Sequence, residues 1–110
     1  ADPRPEPIKT RPALQKLADL AARPSAPERM RREVEGMVKA WLDGASADRR
    51  IELKEKLGEM EEQLQAGIES AGDMMDEVDA DNAAARRHGD NALAALKAAR
   101  QALLAAGLAL

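Results

Sequence analysis

The hydrophobic pattern is strongest in the middle of the chain, where apolar residues recur at steps of three and four. The residues between them are rich in carboxylates, and positions 59–81 contain nine acidic and no basic side chains. This spacing predicts one long amphipathic helix over about 47–87, roughly 60 Å in length, with a coiled-coil-like apolar seam. The seam comprises Leu53, Leu57, Met60, Leu64, Gly67, Ala71, Met74 and Val78, and Ile68 and Met75 broaden it. Asp81 interrupts the pattern, so the helical order can end near it.

Prolines divide the amino-terminal part of the chain, since all six lie within the first 27 residues. The alternation of proline with charge at the start predicts an extended segment that cannot pack. Pro12 is placed to open a short helix and Pro24 to close it. Ser25 then supplies an N-cap for a second helix, because a proline and a glutamate follow it in the first turn. These signals predict an arm over 1–11 and helices over about 12–22 and 27–43.

Glycine beside aspartate or asparagine marks two further breaks. Gly44 fits the left-handed position that ends a helix, and Ser46 can cap the next one. The His-Gly-Asp-Asn run at 88–91 predicts the last loop, followed by a closing helix over about 91–108. Short loops make successive helices antiparallel. The predicted fold is therefore all-α, an antiparallel helical bundle or extended helical hairpin of three to four helices around one long central helix.

Small residues predict close packing between the long helix and the closing helix. The closing helix has alanine and leucine in register at Leu96, Ala99, Leu103, Ala106 and Leu110. The long helix carries the small residues Gly58, Gly67, Ala71 and Gly72. We expect these two sets to face each other, because small side chains let helix backbones approach.

The apolar composition predicts a thin core. Residues 12–110 form at most one domain, and the chain has 24 alanines, 25 larger apolar residues and neither Phe nor Tyr. So small a set of large side chains favours an oligomer or a bound partner as a source of further burial. Trp41, the sole aromatic residue, is either the largest side chain of the hydrophobic core or an exposed anchor for a partner.

The charge distribution argues against binding to nucleic acid. The net charge is −3 and the pI about 5.2, which is the opposite of the basic footprint that phosphate backbones attract. Residues 1–50 carry a net +3 and residues 51–110 a net −6. The two halves can therefore attract each other, within one chain or between copies.

Catalytic and metal-binding patterns are missing from the sequence. Without cysteine there is no thiolate nucleophile and no sulfur-ligated metal. His88 is the only histidine, and it lacks the lysine and glycine that follow the active histidine of four-helix phosphotransfer domains. The carboxylates between 73 and 81 do not have the spacing of a calcium loop. We expect a non-enzymatic protein with no cofactor and no metal.

Two short segments resemble known binding proteins. Trp41-Leu42-Asp43-Gly44 is similar to the Trp-x-Gly turn of small secreted helical hairpins of the type VII pathway, from which it departs by one residue. Segment 64–75 resembles the groove-binding helix of apoptosis regulators, with Ile68 where that motif has leucine. Both resemblances imply helical proteins that bind other proteins, and neither identifies a family.

The leading hypothesis for function is a protein–protein interaction module, such as an adaptor, a secretion chaperone or a regulatory subunit. It would bind a protein partner or copies of itself along the seam, with the acidic flank setting orientation and the methionines adapting to the partner. The candidate partner-binding residues are Trp41, Leu57, Met60, Leu64, Ile68, Met74, Met75 and Val78.

The alternative is a membrane-surface protein whose Ala/Leu-rich segment 92–110 lies on lipid. Only Lys97 and Arg100 give that segment basic charge, which disfavours binding to anionic lipid. The segment is also too weakly apolar to span a bilayer. For the compartment we expect the cytoplasm, and a secreted or periplasmic location stays open if Ala1 is a processed terminus.

Overall fold

The part of the chain that the structure describes is a bundle of four α-helices, which confirms the predicted fold class and its long central helix. The computed structural model describes residues 7–23 and 26–110, and no strand occurs among these residues. The predicted N-cap at Ser25 and positions 1–6 of the predicted arm lie outside the described residues. The helices are α1 (Thr10–Ala21), α2 (Ala26–Leu42), α3 (Ala47–Asp76) and α4 (Ala83–Leu108).

Helix α4 is the centre of the bundle, because it packs along both α2 and α3. The short α1 packs against α2 and α4 and touches α3. Two polar contacts fix its position, an ion pair of 2.7 Å between Lys16 Nζ and Glu33 Oε1 and a hydrogen bond of 3.0 Å from Asn91 Nδ2 to the Arg23 carbonyl. The result is an elongated molecule of 58 × 21 × 20 Å.

The core is made of a few large aliphatic side chains with alanines between them. Every helix contributes one stripe to it, and no polar or charged side chain of the described residues is buried. On α4 the stripe is Ala95, Ala99 and Leu103, and the two alanines are fully buried, so α4 lies close to its neighbours. The largest fully buried side chains are Leu17, Met30, Val34, Leu53, Leu57, Met60 and Leu103.

The α2–α3 turn has the conformation that the sequence predicts. Gly44 adopts a left-handed backbone with φ of 68°, which a side chain would strain. The Ser46 hydroxyl accepts a hydrogen bond of 3.1 Å from the Arg49 backbone N–H and caps α3. The turn places α3 antiparallel to α2.

The predicted break at 88–91 is wrong, because the chain turns at 77–82 and residues 88–91 lie inside α4. Helix α3 therefore ends at Asp76, earlier than the predicted 87. Asn82 starts α4, since its Oδ1 accepts a hydrogen bond of 3.2 Å from the Ala85 N–H. The Arg86 side chain closes the turn by donating to the Val78 carbonyl at 3.0 Å. The last turn of α3 has no basic residue, so its carboxylates meet the negative end of the helix dipole unfavourably.

The predicted role of the small residues is also partly wrong. Gly58 and Gly67 are exposed, and a Cβ at either position would have nothing within 4 Å. The close approach between α3 and α4 is at Gly89, where a Cβ would overlap the sulfur of Met75. Gly89 therefore makes room for a methionine of the facing helix, and a larger side chain there would require Met75 to move.

Candidate functional site

The structure divides the predicted partner-binding residues into two groups. Five of them belong to the hydrophobic interior of the single chain: Trp41, Leu57, Met60, Leu64 and Ile68. A partner could reach these side chains only if the bundle opened. The other three lie further along the hairpin, where Met74 is 67% exposed and Met75 and Val78 are half-buried.

Trp41 is a core residue in this conformation. It packs with the buried residues of the other helices and is only 5% exposed. The sequence left open whether Trp41 is a core residue or an exposed anchor, and in the structure it is a core residue. The segment that resembles a groove-binding helix likewise has Leu64 and Ile68 turned into the bundle.

The end of the α3–α4 hairpin is not covered by the other two helices. We call residues 69–94 the distal hairpin. The α1–α2 connection lies beside Asn91, as the hydrogen bond to Arg23 shows, so α1 and α2 cover α4 only from about that level onward. No residue of the distal hairpin is buried. The half-buried residues between its two helices are therefore open to solvent on the side that α1 and α2 would otherwise occupy.

Negative charge surrounds this uncovered apolar face. The distal hairpin carries seven carboxylates against two arginines, a net charge of −5. One of the arginines, Arg86, is engaged with the Val78 carbonyl. Exposed Met74 and half-buried Met75 lie among these carboxylates. This surface combines accessible apolar side chains with a strongly negative rim.

We expect backbone amides in the distal hairpin to exchange with solvent much faster than those of the four-helix part. Local opening is easiest where few apolar contacts cover the backbone, and residues 69–94 have no buried side chain. Native-state hydrogen exchange should show amides near Leu57 and Ala99 protected up to the global free energy of unfolding. Amides near Met74 should exchange at least about 100-fold faster. Equal protection in both regions would contradict the structural division.

A second surface is a groove between the outer faces of α2 and α4, with a volume of about 730 Å³. Its floor is small and apolar, and its edge on α2 is charged. The floor residues are Val38, Leu42, Ala98, Ala102, Ala105 and Ala106. The charged residues along the α2 edge are Glu28, Arg31, Glu35 and Lys39.

The carboxyl-terminal helix α4 exposes two large apolar side chains, both leucines. Leu108 is 85% exposed and Leu104 41%. Ala95, Ala99 and Leu103 on its opposite face are buried in the bundle, and Arg100 is paired with Glu61 at 2.6 Å. No helix among the described residues is both long and apolar enough to cross a membrane.

No candidate metal site occurs in the part of the chain that the structure describes. No three carboxylates or histidines within it come together in a way that could hold a metal ion. His88 is exposed on the surface of α4, which corrects its predicted place in a loop.

Comparison with known proteins finds no relative: no family model, no curated protein and no solved structure matches the chain.

Proposed function

We propose that this protein is a non-enzymatic protein-interaction module that binds a basic amphipathic helix on its distal hairpin. The observation that carries the proposal is the uncovered apolar face between α3 and α4, where no residue from 69 to 94 is buried. A third helix laid on that face would extend the bundle toward the tip of the hairpin. The four-helix part then serves as the scaffold that holds the two hairpin helices in place.

The chemistry of the surface defines the partner. Burial of apolar area contributes about 25 cal/mol per Å², so the methionines supply most of the affinity. Met74 and Met75 are flexible and polarisable, which suits contacts with side chains of varied shape. The net charge of −5 on the distal hairpin selects a partner whose flanking residues are lysine or arginine. Such a module could act as an adaptor, a secretion chaperone or a regulatory subunit.

A synthetic probe tests this proposal directly. The probe is a peptide of about 18 residues with leucine on one helical face and lysine on the other. We expect it to bind with a Kd in the micromolar range, with NMR shift changes concentrated between residues 69 and 94. Binding should weaken as salt is raised, because the charge pairs are exposed to solvent.

Matched variants separate apolar recognition from plain charge attraction. Met74→Ser should weaken binding about five- to tenfold, since it removes an exposed apolar contact worth about 1 kcal/mol or slightly more. Ile51→Ser is the control, because Ile51 is 62% exposed on the same helix but lies outside the distal hairpin. A scrambled peptide of the same composition should bind much more weakly. Equal affinity for the two peptides, or shift changes centred on α2, would overturn the proposal.

A further inference from the structure

The exposed charges along α2 alternate in sign. Glu28, Arg31, Glu35 and Lys39 are all exposed and all line the groove between α2 and α4. Their spacing of three, four and four residues places them on one face of the helix over about 16 Å. Read in order, the signs are negative, positive, negative and positive.

When this order of charges is reversed, every position carries the sign opposite to that in the original order. If a second α2 lies antiparallel on the first, Glu28 of one copy faces Lys39 of the other, and Arg31 faces Glu35. Both pairs occur twice, because a two-fold axis between positions 33 and 34 exchanges the copies. All four charges then meet the opposite sign. Within one chain Glu28 contacts Arg32 at 3.3 Å, but both side chains are more than 70% exposed, so this contact is weak and does not compete strongly.

The neighbouring face of α4 fits the same symmetry. The groove is lined by α2 residues from 27 to 42 and α4 residues from 98 to 106, so the midpoint of the α2 stripe lies level with about residue 101. A two-fold axis at the level of residue 101 places α4 against the α4 of the second copy, with Ala98 opposite Ala105 and Gln101 opposite Ala102. These residues carry no charge and are mostly alanines, so two α4 helices can approach closely.

We propose that the α2–α4 face is a self-complementary interface for a second copy of this chain, forming an antiparallel two-fold dimer. Helix α2 is about 25 Å long and neighbouring helices lie about 10 Å apart, so the face buries about 500 Å² per copy. That area is at the small end of specific interfaces, and the dimer is therefore weak, with a Kd of about 10–100 µM. This interface is separate from the distal hairpin and does not depend on the function proposed for it.

Charge reversal on the full-length chain tests the pairing, with sedimentation equilibrium from 10 µM to 1 mM at low salt as the measurement. In a dimer of Arg31→Glu chains, residues 31 and 35 of the two copies bring four negative charges together. In a dimer of Glu35→Arg chains, the same positions bring four positive charges together. We expect each single variant to weaken self-association at least about tenfold. An equimolar mixture of the two variants should associate about as well as the native chain, because each variant then meets the opposite charge. The double variant R31E/E35R should also recover self-association.

Arg29→Glu is the matched control, since Arg29 is an exposed arginine of α2 that does not line the groove. It should leave the dimer within about twofold of the native Kd, and circular dichroism should show that all variants remain helical. A native chain that is monomeric at 1 mM would overturn the inference. So would single variants that associate like the native chain, or a mixture of the two that does not associate.

Discussion

Replacing Leu57 by alanine should lower the free energy of unfolding by about 3 kcal/mol, within a range of about 2–5 kcal/mol. Leu57 is 1% exposed and belongs to the small set of large side chains that are fully buried. The substitution removes apolar burial and leaves a cavity that the rigid neighbouring helices fill only in part. A domain of this size has about 5–15 kcal/mol of stability, so the loss is a large fraction of the total. Urea denaturation followed by circular dichroism measures it.

Ile51→Ala is the matched control for this prediction. Ile51 lies on the same helix, but 62% of its surface is exposed, so its truncation should change stability by no more than about 0.5 kcal/mol. If Leu57→Ala and Ile51→Ala lowered the free energy of unfolding by the same small amount, the apolar stripe of α3 would not be part of the core of the single chain. Leu64→Asp should unfold the bundle, because it places a carboxylate at a buried position of the same stripe.

The sequence predicted the positions of the helices better than it predicted which part of the molecule covers the apolar face of each helix. A spacing of three and four identified the face of α3 that avoids water, and Leu53, Leu57 and Met60 are indeed buried. The same spacing cannot say whether the cover is the chain itself or a partner. That depends on how α1, α2 and α4 align in space. Buried alanines at 95 and 99 bring the helices close together, so the large seam side chains from Leu53 to Ile68 are buried within the single chain.

The position of the last turn was missed because two long-range contacts override the local signals. Residues 88–91 look like a loop by propensity, with a glycine beside aspartate and asparagine. In the structure Asn91 donates to the Arg23 carbonyl, 68 residues away in the chain, and Gly89 makes room for Met75. Local rules contain no information on either contact. The signal for the true turn was present in Asp81, which interrupts the apolar pattern, and in Asn82, which follows it.

A difference in helix length could have revealed the distal hairpin. Helix α2 has 17 residues and α3 has 30, and a short turn joins them. An antiparallel pair of unequal length leaves the longer helix uncovered at its far end. The uncovered end of α3 is the one that carries Met74, so helix length places the candidate site near Met74 and not near Leu57. The α2–α4 groove could not be found in this way, because it depends on which faces of two separate helices become neighbours.

Replacing three glycines by alanine should raise the free energy of unfolding by about 2 kcal/mol. Gly36, Gly58 and Gly67 lie inside helices, are exposed, and have open space where a Cβ would be added. Each costs about 0.5–1 kcal/mol relative to alanine, because glycine loses more backbone entropy in a helix. The sites lie far enough apart for their effects to add. The triple variant should therefore unfold at a higher urea concentration with an unchanged slope.

Two other glycines show whether backbone entropy is the cause. Gly44→Ala should lower stability by about 1 kcal/mol, since φ of 68° is unfavourable for alanine. Gly89→Ala also lowers the entropy cost of the helix, but its Cβ clashes with the Met75 sulfur. It should therefore stabilise the protein less than the same substitution at the exposed glycines. In a Met75→Ala background the clash is absent, and the same substitution should regain about the full 0.5–1 kcal/mol. If Gly89→Ala gave equal gains in both backgrounds, α3 and α4 would not be in close contact at the distal hairpin.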